Sequence, residues 1–389
     1  MRKTYKYRLY PTNKQEAELL STLDVCRILY NSCLIDRKNH YQVTRKGLSR
    51  IGQQRILVDD KKKVTALNGI HSQVLQDVLF RVDRAYQGFF RRLADKSGRA
   101  GYPRLKSEGR YDSITYPQEP GFRIENGKLR LSKIGVLKLK MHRDIAGHVK
   151  SCTVRKDGNH WYACFSVEHE PEKRAIPLKS TGIDVGIKNF AALSDGSEIV
   201  NPKYLRKTET KLKRVQRSLS RKKMGGTNRI KSRALVANVH RKIRNQRLDF
   251  HHKEAKRIVD GYGFIAVEDL KIKNMLRNRH LSKSISDAGW GNFVNILAYK
   301  AEEAGCRLEK VAPHHTSIDC SRCGTPVPKT LATRIHHCDA CGLTLDRDHN
   351  AAINILQRAT AGTAGIYAWG KLVQSDRSLI QEAPTAREV

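Results

Sequence analysis

Hydrophobic and polar positions change period several times along this chain, and each change marks an element. Tyr5 to Tyr10, YKYRLY, alternates aromatic or apolar with basic residues, the period of a half-buried strand. Pro11 ends that run. Thr12 and Gln15 then stand as N-cap and N3 of a capping box, which predicts a helical region. Within that region, IHSQVLQDVLFRVDRAYQGFFRRL sets Val74, Val78, Val82, Tyr86, Phe89 and Leu93 along one helical face, until Gly98, Gly101 and Pro103 break the pattern.

From about Tyr111 the period becomes two. FRIENGKLRL places Asn126-Gly127 between two alternating runs, a strong hairpin signal. A second hairpin is expected around Lys156-Asp157-Gly158-Asn159, leading into WYACFSVEHE. Residues 106–170 therefore read as an antiparallel sheet closing into a small barrel, with the first strand completing it and the helices inserted between.

After the linker EPEKRAIPLKS, TGIDVGIKNFAALSDG reads as strand, turn, strand. Arg206 to Arg247 follows, with 16 Lys/Arg and one acid, Glu209, a local charge of +15. Leu212, Val215 and Leu219 recur at helical spacing, as do Leu235, Val239 and Ile243, and Gly225-Gly226 separates the two sets. This predicts a helical hairpin. FIAVEDL is a short apolar strand ending in two carboxylates, and Trp290 to Ala304 has the pattern of an amphipathic helix. A cysteine-rich segment and a last helix complete the readable pattern, and the tail from Gln374 is expected to be disordered.

Composition narrows the function. With 389 residues and 39% hydrophobic side chains the chain can bury more than one core. Its formal charge of +36 repels itself unless a polyanion neutralises it, which favours nucleic acid over a membrane surface. No stretch approaches the ~18–20 apolar residues of a bilayer span, and the basic start lacks an apolar signal core. A soluble, cytoplasmic, nucleoid-associated protein is expected. Nine cysteines, four in a metal pattern and five scattered, suit a reducing compartment.

Cys320-x2-Cys323 and Cys338-x2-Cys341, with 14 residues between the pairs, have the spacing of a tetrahedral zinc site. Gly324 and Gly342 follow the second cysteine of each pair, where a tight knuckle turn wants glycine. Four thiolates leave no open position, so the zinc is structural, and His336 and His337 fall outside its ligand set. The resulting ribbon of ~30 residues is too small to fold without its metal.

Carboxylates carry the second signal. Two-metal phosphodiester cleavage needs a few acids from distant segments converging on Mg2+ or Mn2+. Asp184 lies inside the apolar run Gly182-Ile183-Asp184-Val185-Gly186, where a charge is costly unless paired or metal-bound. Its flanking glycines leave room for a phosphate backbone. Glu268 closes Phe264-Ile265-Ala266-Val267, with Asp269 as its rival on the opposite face. Asp346 and Asp348 both precede the helical AAINIL, and local pattern does not choose between them.

Taken in order, GIDVGIKNFA, VEDLKIKNM, SISDAGWGNF and the cysteine pairs running into DRDHNAAINIL resemble the TnpB family. These are transposon-encoded RNA-guided nucleases related to the compact type V CRISPR effectors. YKYRLYPTNKQE and QVLQDVLFRVDRAYQGFF resemble the family's opening and recognition helix. The resemblance implies a multidomain α+β chain. Residues 1–10 and 106–175 would form a wedge-like β-barrel around a helical recognition insert at 11–105. Residues 176–313 and 345–373 would form an RNase H-like (RuvC) nuclease domain, interrupted by a zinc ribbon at 314–344. It implies Asp184, Glu268 and Asp348 as the catalytic acids, Asp348 being the one two residues before Asn350, with Asp346 as neighbour or cap.

It further implies a guide RNA from the transposon end, a double- and single-stranded DNA target, and a monomer. Ser72 and Gln76 align with positions that face a short motif beside the target, although a solvated helix face would look the same. Arg214, Arg217, Arg221, Lys222 and Lys223 lie in the basic run, for which contact with the guide–target duplex backbone is expected. Tyr5, Tyr7, Tyr86, Phe89 and Phe90 suit core packing better than base stacking. Two rival readings remain: a guided DNA-binding protein without cleavage, and a transposase that joins DNA ends.

Overall fold

The computed structural model describes residues 1–95, 100–171, 174–330 and 333–361. The expected tail from Gln374, and residues 362–373 of the expected nuclease segment, lie outside these. The chain divides into two compact units, Met1–Glu170 and Pro171–Val389.

The first unit opens with β1 (Arg2–Tyr10), whose Tyr5, Tyr7 and Leu9 are buried as their alternation requires. Helices α1 (Asn13–Thr44), α2 (Arg50–Lys63), α3 (Thr65–Asn68) and α4 (Ser72–Ala94) follow. Thr12 and Gln15 form the expected capping box on α1. The α4 stripe is Val74, Leu75, Val78, Leu79, Val82 and Tyr86. Leu93, expected on it, is exposed because the apolar face ends a turn earlier.

Six strands complete this unit: β2 (Ser113–Tyr116), β3 (Phe122–Glu125), β4 (Lys128–Leu131), β5 (Gly135–Lys140), β6 (His148–Asp157) and β7 (His160–Glu168). Asn126-Gly127 turns β3 into β4 with both residues at positive φ, the two-residue hairpin that dipeptide favours. Gly158-Asn159 turns β6 into β7. The strands form one antiparallel sheet in the order β2-β6-β7-β1-β5-β4-β3. The expected closed barrel is corrected to an open sheet: no ladder joins β2 to β3 among the described residues. β1 lies in the middle of the sheet, between β7 and β5.

The second unit is built on a five-stranded sheet of order β10-β9-β8-β11-β12. β8 (Ser180–Val185), β9 (Asn189–Leu193) and β10 (Glu198–Val200) form an antiparallel meander. β11 (Phe264–Glu268) and β12 (Arg307–Val311) run parallel to β8. Between β10 and β11 stand α5 (Tyr204–Ser220) and α6 (Thr227–Gly261), the expected basic hairpin. Leu212, Val239 and Ile243 are its small core, while Leu235, expected there, is exposed. α7 (Ile272–Met275), α8 (Ser282–Ala288) and α9 (Trp290–Ala304) lead into β12. A short hairpin of β13 (Ile335–His337) and β14 (Thr344–Asp346) then runs directly into α10 (Arg347–Thr360).

The core of this unit gathers Ile183, Phe190, Ile258, Ile265, Phe293 and Leu297 with their neighbours. His251 is buried within it: Asn292 Nδ2 lies 3.1 Å from its Nδ1, and its Nε2 lies 2.9 Å from Ala288 O. An amide donor on one nitrogen and a carbonyl acceptor on the other define a neutral ring protonated at Nε2. None of the nine cysteines is in a disulfide. Among the described residues no helix is long and apolar enough to cross a membrane.

Candidate functional site

Three elements bring one acid each to the same end of the five-stranded sheet. β8 and β11 are parallel with Ile183 opposite Val267, so Asp184 and Glu268 follow as neighbours on one face. Asp348 comes from the first turn of α10, which packs on β8. Gly182 permits that packing: a Cβ there would meet Ala352 O at 2.1 Å and Leu356 N at 2.7 Å. The space expected to admit a phosphate backbone at Gly182 is therefore filled by the helix backbone. Gly186 is the glycine that borders the acids, with Asp348 Oδ2 3.8 Å from where its Cβ would be.

The acids feel one another. Burial, then repulsion from Glu268 and Asp348, holds the Asp184 carboxyl well above the ordinary range, while Arg347 opposes this. Burial also raises Glu268, against a hydrogen bond from Thr316 and the charge of Arg358. Asp348 is flanked by Arg347 Nη2 at 3.1 Å and Arg334 Nη1 at 3.8 Å. Asp346 is the N-cap of α10: its Oδ1 accepts from the N–H groups of Asp348 at 2.8 Å and His349 at 3.4 Å. Asp269 is exposed, and its N–H donates to Val311 O at 2.8 Å.

A cluster of mutually repelling, partly buried carboxylates matches the hard-oxygen donor set of a divalent cation. The acids are less tightly gathered than the cysteines. Among the described residues, Cys320, Cys323, Cys338 and Cys341 form the one group of three or more potential metal ligands whose donor atoms all lie within 4.8 Å of one another. Cys320 Sγ and Cys341 Sγ are 3.6 Å apart, Cys323 Sγ and Cys338 Sγ 3.5 Å. A tetrahedron with ~2.3 Å zinc–sulfur bonds has edges of about 3.8 Å, so the cluster fits that ion. His336 is buried beside Lys329 Nζ, and His337 is exposed.

Several residues at this site escaped the sequence reading. Arg334, Arg358 and Thr316 reach the acids from distant parts of the sequence, and no local pattern marks them, whereas Arg347 stands between Asp346 and Asp348 in the chain. Asn350 and Asn354 did carry a signal. Both are buried on the helical side that also holds Ala351 and Ile355, where an asparagine needs a partner.

Arg214, Arg217, Arg221 and Lys222 line an open groove along α5 and its C-terminal end, with Thr210, Lys213 and Ser218, and Lys223 follows them, exposed. Glu209, the acid of that run, is engaged by Lys213 at 2.8 Å and Lys283 at 2.5 Å, leaving the groove strongly positive. In the first unit, Ser72 and Gln76 are exposed on α4, and Ser72 Oγ accepts from Lys61 Nζ at 2.9 Å.

Comparison with known proteins agrees with this arrangement. Residues 164–279 match a family described as probable transposase (OrfB_IS605), and residues 290–355 match one described as Cas12f1-like, TNB domain. Residues 1–46 match a helix-turn-helix domain family, although they fold here as β1 and the single helix α1. A Streptomyces pristinaespiralis protein named "Putative RNA-guided DNA endonuclease" is 32% identical over 395 residues, covering 99% of this chain and 96% of that protein. A similarly named Escherichia coli protein is 32% identical over 97% of this chain and 96% of its own length. The solved mini-RNA-guided endonuclease CRISPR-Cas_phi3 shares the fold, with a TM-score of 0.51 at 11% identity over 94% of this chain and 93% of that one. Acids assembled at the end of one sheet, a four-cysteine cluster and near full-length similarity converge: the chain belongs to the TnpB (OrfB) family of RNA-guided DNA endonucleases.

Proposed function

We propose that this protein is an RNA-guided DNA endonuclease of a mobile element, cutting guide-matched DNA beside a short adjacent motif. The observation that carries the reading is the convergence of Asp184, Glu268 and Asp348, with Asp184 under the repulsion of the other two. In this reading the second unit is RNase H-like (RuvC), and these acids hold Mg2+ or Mn2+. The bound ions would activate water and stabilise the leaving oxygen. The residues supply the rest. Gly186 keeps the approach to Asp348 open. Asp346 shapes the helix end that presents Asp348. Arg334 and Arg347 balance its charge.

Cys320, Cys323, Cys338 and Cys341 hold a structural zinc and make residues 314–344 a ribbon. Arg214, Arg217, Arg221, Lys222 and Lys223 grip the phosphates of the RNA–DNA duplex, giving affinity with little sequence information. Base pairing with the guide supplies most of the specificity. Ser72 and Gln76 face the adjacent motif, and residues 1–10, 106–175 and the helices between them hold the RNA scaffold. The protein acts as a nucleoid-associated cytoplasmic monomer.

The test is plasmid cleavage. The protein is co-expressed with its flanking RNA and supplied with Mg2+ and a guide-matched target beside a randomised flank. Wild type cuts a subset of flanks. Asp348→Ala loses at least roughly 10²–10³-fold in rate, the scale of removing charge stabilisation from a transition state. Asp346→Ala still cuts, losing only the cap worth ~1 kcal/mol. Target bound but never cut would make the protein a guided binder, and strand-transfer products would make it a transposase.

A further inference from the structure

Between β12 and the first cysteine knuckle the chain makes a tight turn. His315 sits at φ 61°, and its carbonyl accepts from Ile318 at 3.1 Å and Asp319 at 3.0 Å. One face of α10 grips this turn through Asn350, Asn354, Gln357 and Arg358, spaced i, i+4, i+7 and i+8. Asn354 Nδ2 donates to Thr316 O at 2.8 Å and Asp319 O at 2.7 Å. Asn350 Nδ2 donates to Asp319 O at 2.9 Å, and its Oδ1 accepts from Ser321 N at 3.0 Å. Gln357 Nε2 donates to Ser321 O at 3.0 Å. Arg358 pairs with Asp319 at 2.8 Å and also donates to His314 O. The turn is thus fixed to the helix that carries Asp348.

From the centre of this turn Thr316, 4% exposed, aims its hydroxyl at Glu268 Oε1, 2.5 Å away. A hydroxyl has one proton to donate, and here it goes to the acid at the end of β11. A glutamate on a strand end has three rotatable bonds. A donor on one oxygen fixes the carboxylate plane and leaves the other oxygen for a further partner. Groups behind a metal ligand orient it in this way.

We infer that Thr316 is the positioning residue for Glu268, tying that acid's geometry to the turn that enters the cysteine ribbon at Cys320. This rests on the reading of Glu268 as a metal-holding acid. It makes one helix responsible for two acids: α10 presents Asp348 at its start and, through Asn354, holds the turn that orients Glu268.

Valine at position 316 keeps the shape and removes the hydroxyl; serine keeps the hydroxyl and removes a methyl. The full-length chain, free of RNA, is titrated with Mn2+ under electron paramagnetic resonance, with Asp184→Ala as the background. Thr316→Val is expected to weaken Mn2+ binding roughly 10–100-fold, the usual cost of losing such a partner. Zinc content and melting temperature stay at wild-type values, and Thr316→Ser recovers most of the affinity. In the cleavage assay the Mg2+ concentration for half-maximal rate rises in the valine variant. Wild-type Mn2+ binding by Thr316→Val overturns the inference. So does equal loss in the valine and serine variants with a lowered melting temperature, which would make Thr316 a structural turn residue. If wild type binds Mn2+ but cuts no guide-matched DNA, the endonuclease reading falls while the positioning role stands.

Discussion

The cysteine cluster and the carboxylate cluster lie in the same unit, and they are assembled in opposite ways. The four sulfurs come from one stretch of 22 residues, Cys320 to Cys341, and two of their separations are already 3.5 and 3.6 Å. The three acids come from β8, β11 and α10, with 163 positions between Asp184 and Asp348. They rely on strand register, a glycine contact and a turn to meet, and arginines share their charge. Soft ligands on short knuckles can be arranged locally. Hard ligands that repel one another must be held by the fold, because nothing local compensates the cost of bringing them together.

The largest effect should come from breaking the local set. Cys338→Ser is expected to drop zinc content from about one per chain to none, and to open residues 320–341 to proteolysis. Structural zinc supplies on the order of 10–16 kcal/mol in small sites of this kind. Elemental analysis and limited proteolysis check both. Full protection with the metal stripped would mean that the ribbon is held by packing alone, and the contrast would lapse.

Next comes the core under the assembled set. Burial lowers the His251 pKa to about 4, so the folded state prefers the neutral ring. This stability is present above the unfolded value near 6.5 and is lost as pH falls toward 4. The loss is on the order of 3 kcal/mol. Melting curves from pH 7.5 to 4.5 should show it, and His251→Gln should flatten the slope; an unchanged slope would place the acid sensitivity elsewhere.

The smallest of these effects sharpens the comparison most. Gly182→Ala places a Cβ 2.1 Å from Ala352 O, so α10 must shift on β8, at a cost of about 1–3 kcal/mol. The shift should move Asp348 and slow cleavage while zinc stays bound. Equal loss of zinc and cleavage would show that the two centres are one unit rather than a local and an assembled pair.

How much was legible follows the same division. The capping box at Thr12, the Asn126-Gly127 hairpin, the helix from Trp290 and the cysteine pairs each depend on residues close in sequence, and each was found where its pattern pointed. The barrel was not, because closure depends on pairing between distant edges, and the alternation of β2 and β3 reads the same in an open sheet. Leu93 and Leu235 fit a helical stripe but are exposed, since periodicity does not say where a neighbouring element stops.

At the acids, sequence by itself determined which carboxylates were candidates: an aspartate in an apolar strand is expensive wherever it lies. It left Asp346 and Asp348 open on local grounds, and only the family resemblance chose between them. The tertiary structure made Asp346 the cap and turned Asp348 toward Asp184. It also decided the distant partners, Thr316 for Glu268 and Arg334 for Asp348. Chain connectivity carries local geometry, so turns, caps and knuckles are written in neighbouring residues. Which distant hydroxyl or guanidinium meets a carboxylate depends on how sheets and helices pack, and that is decided only when the chain folds.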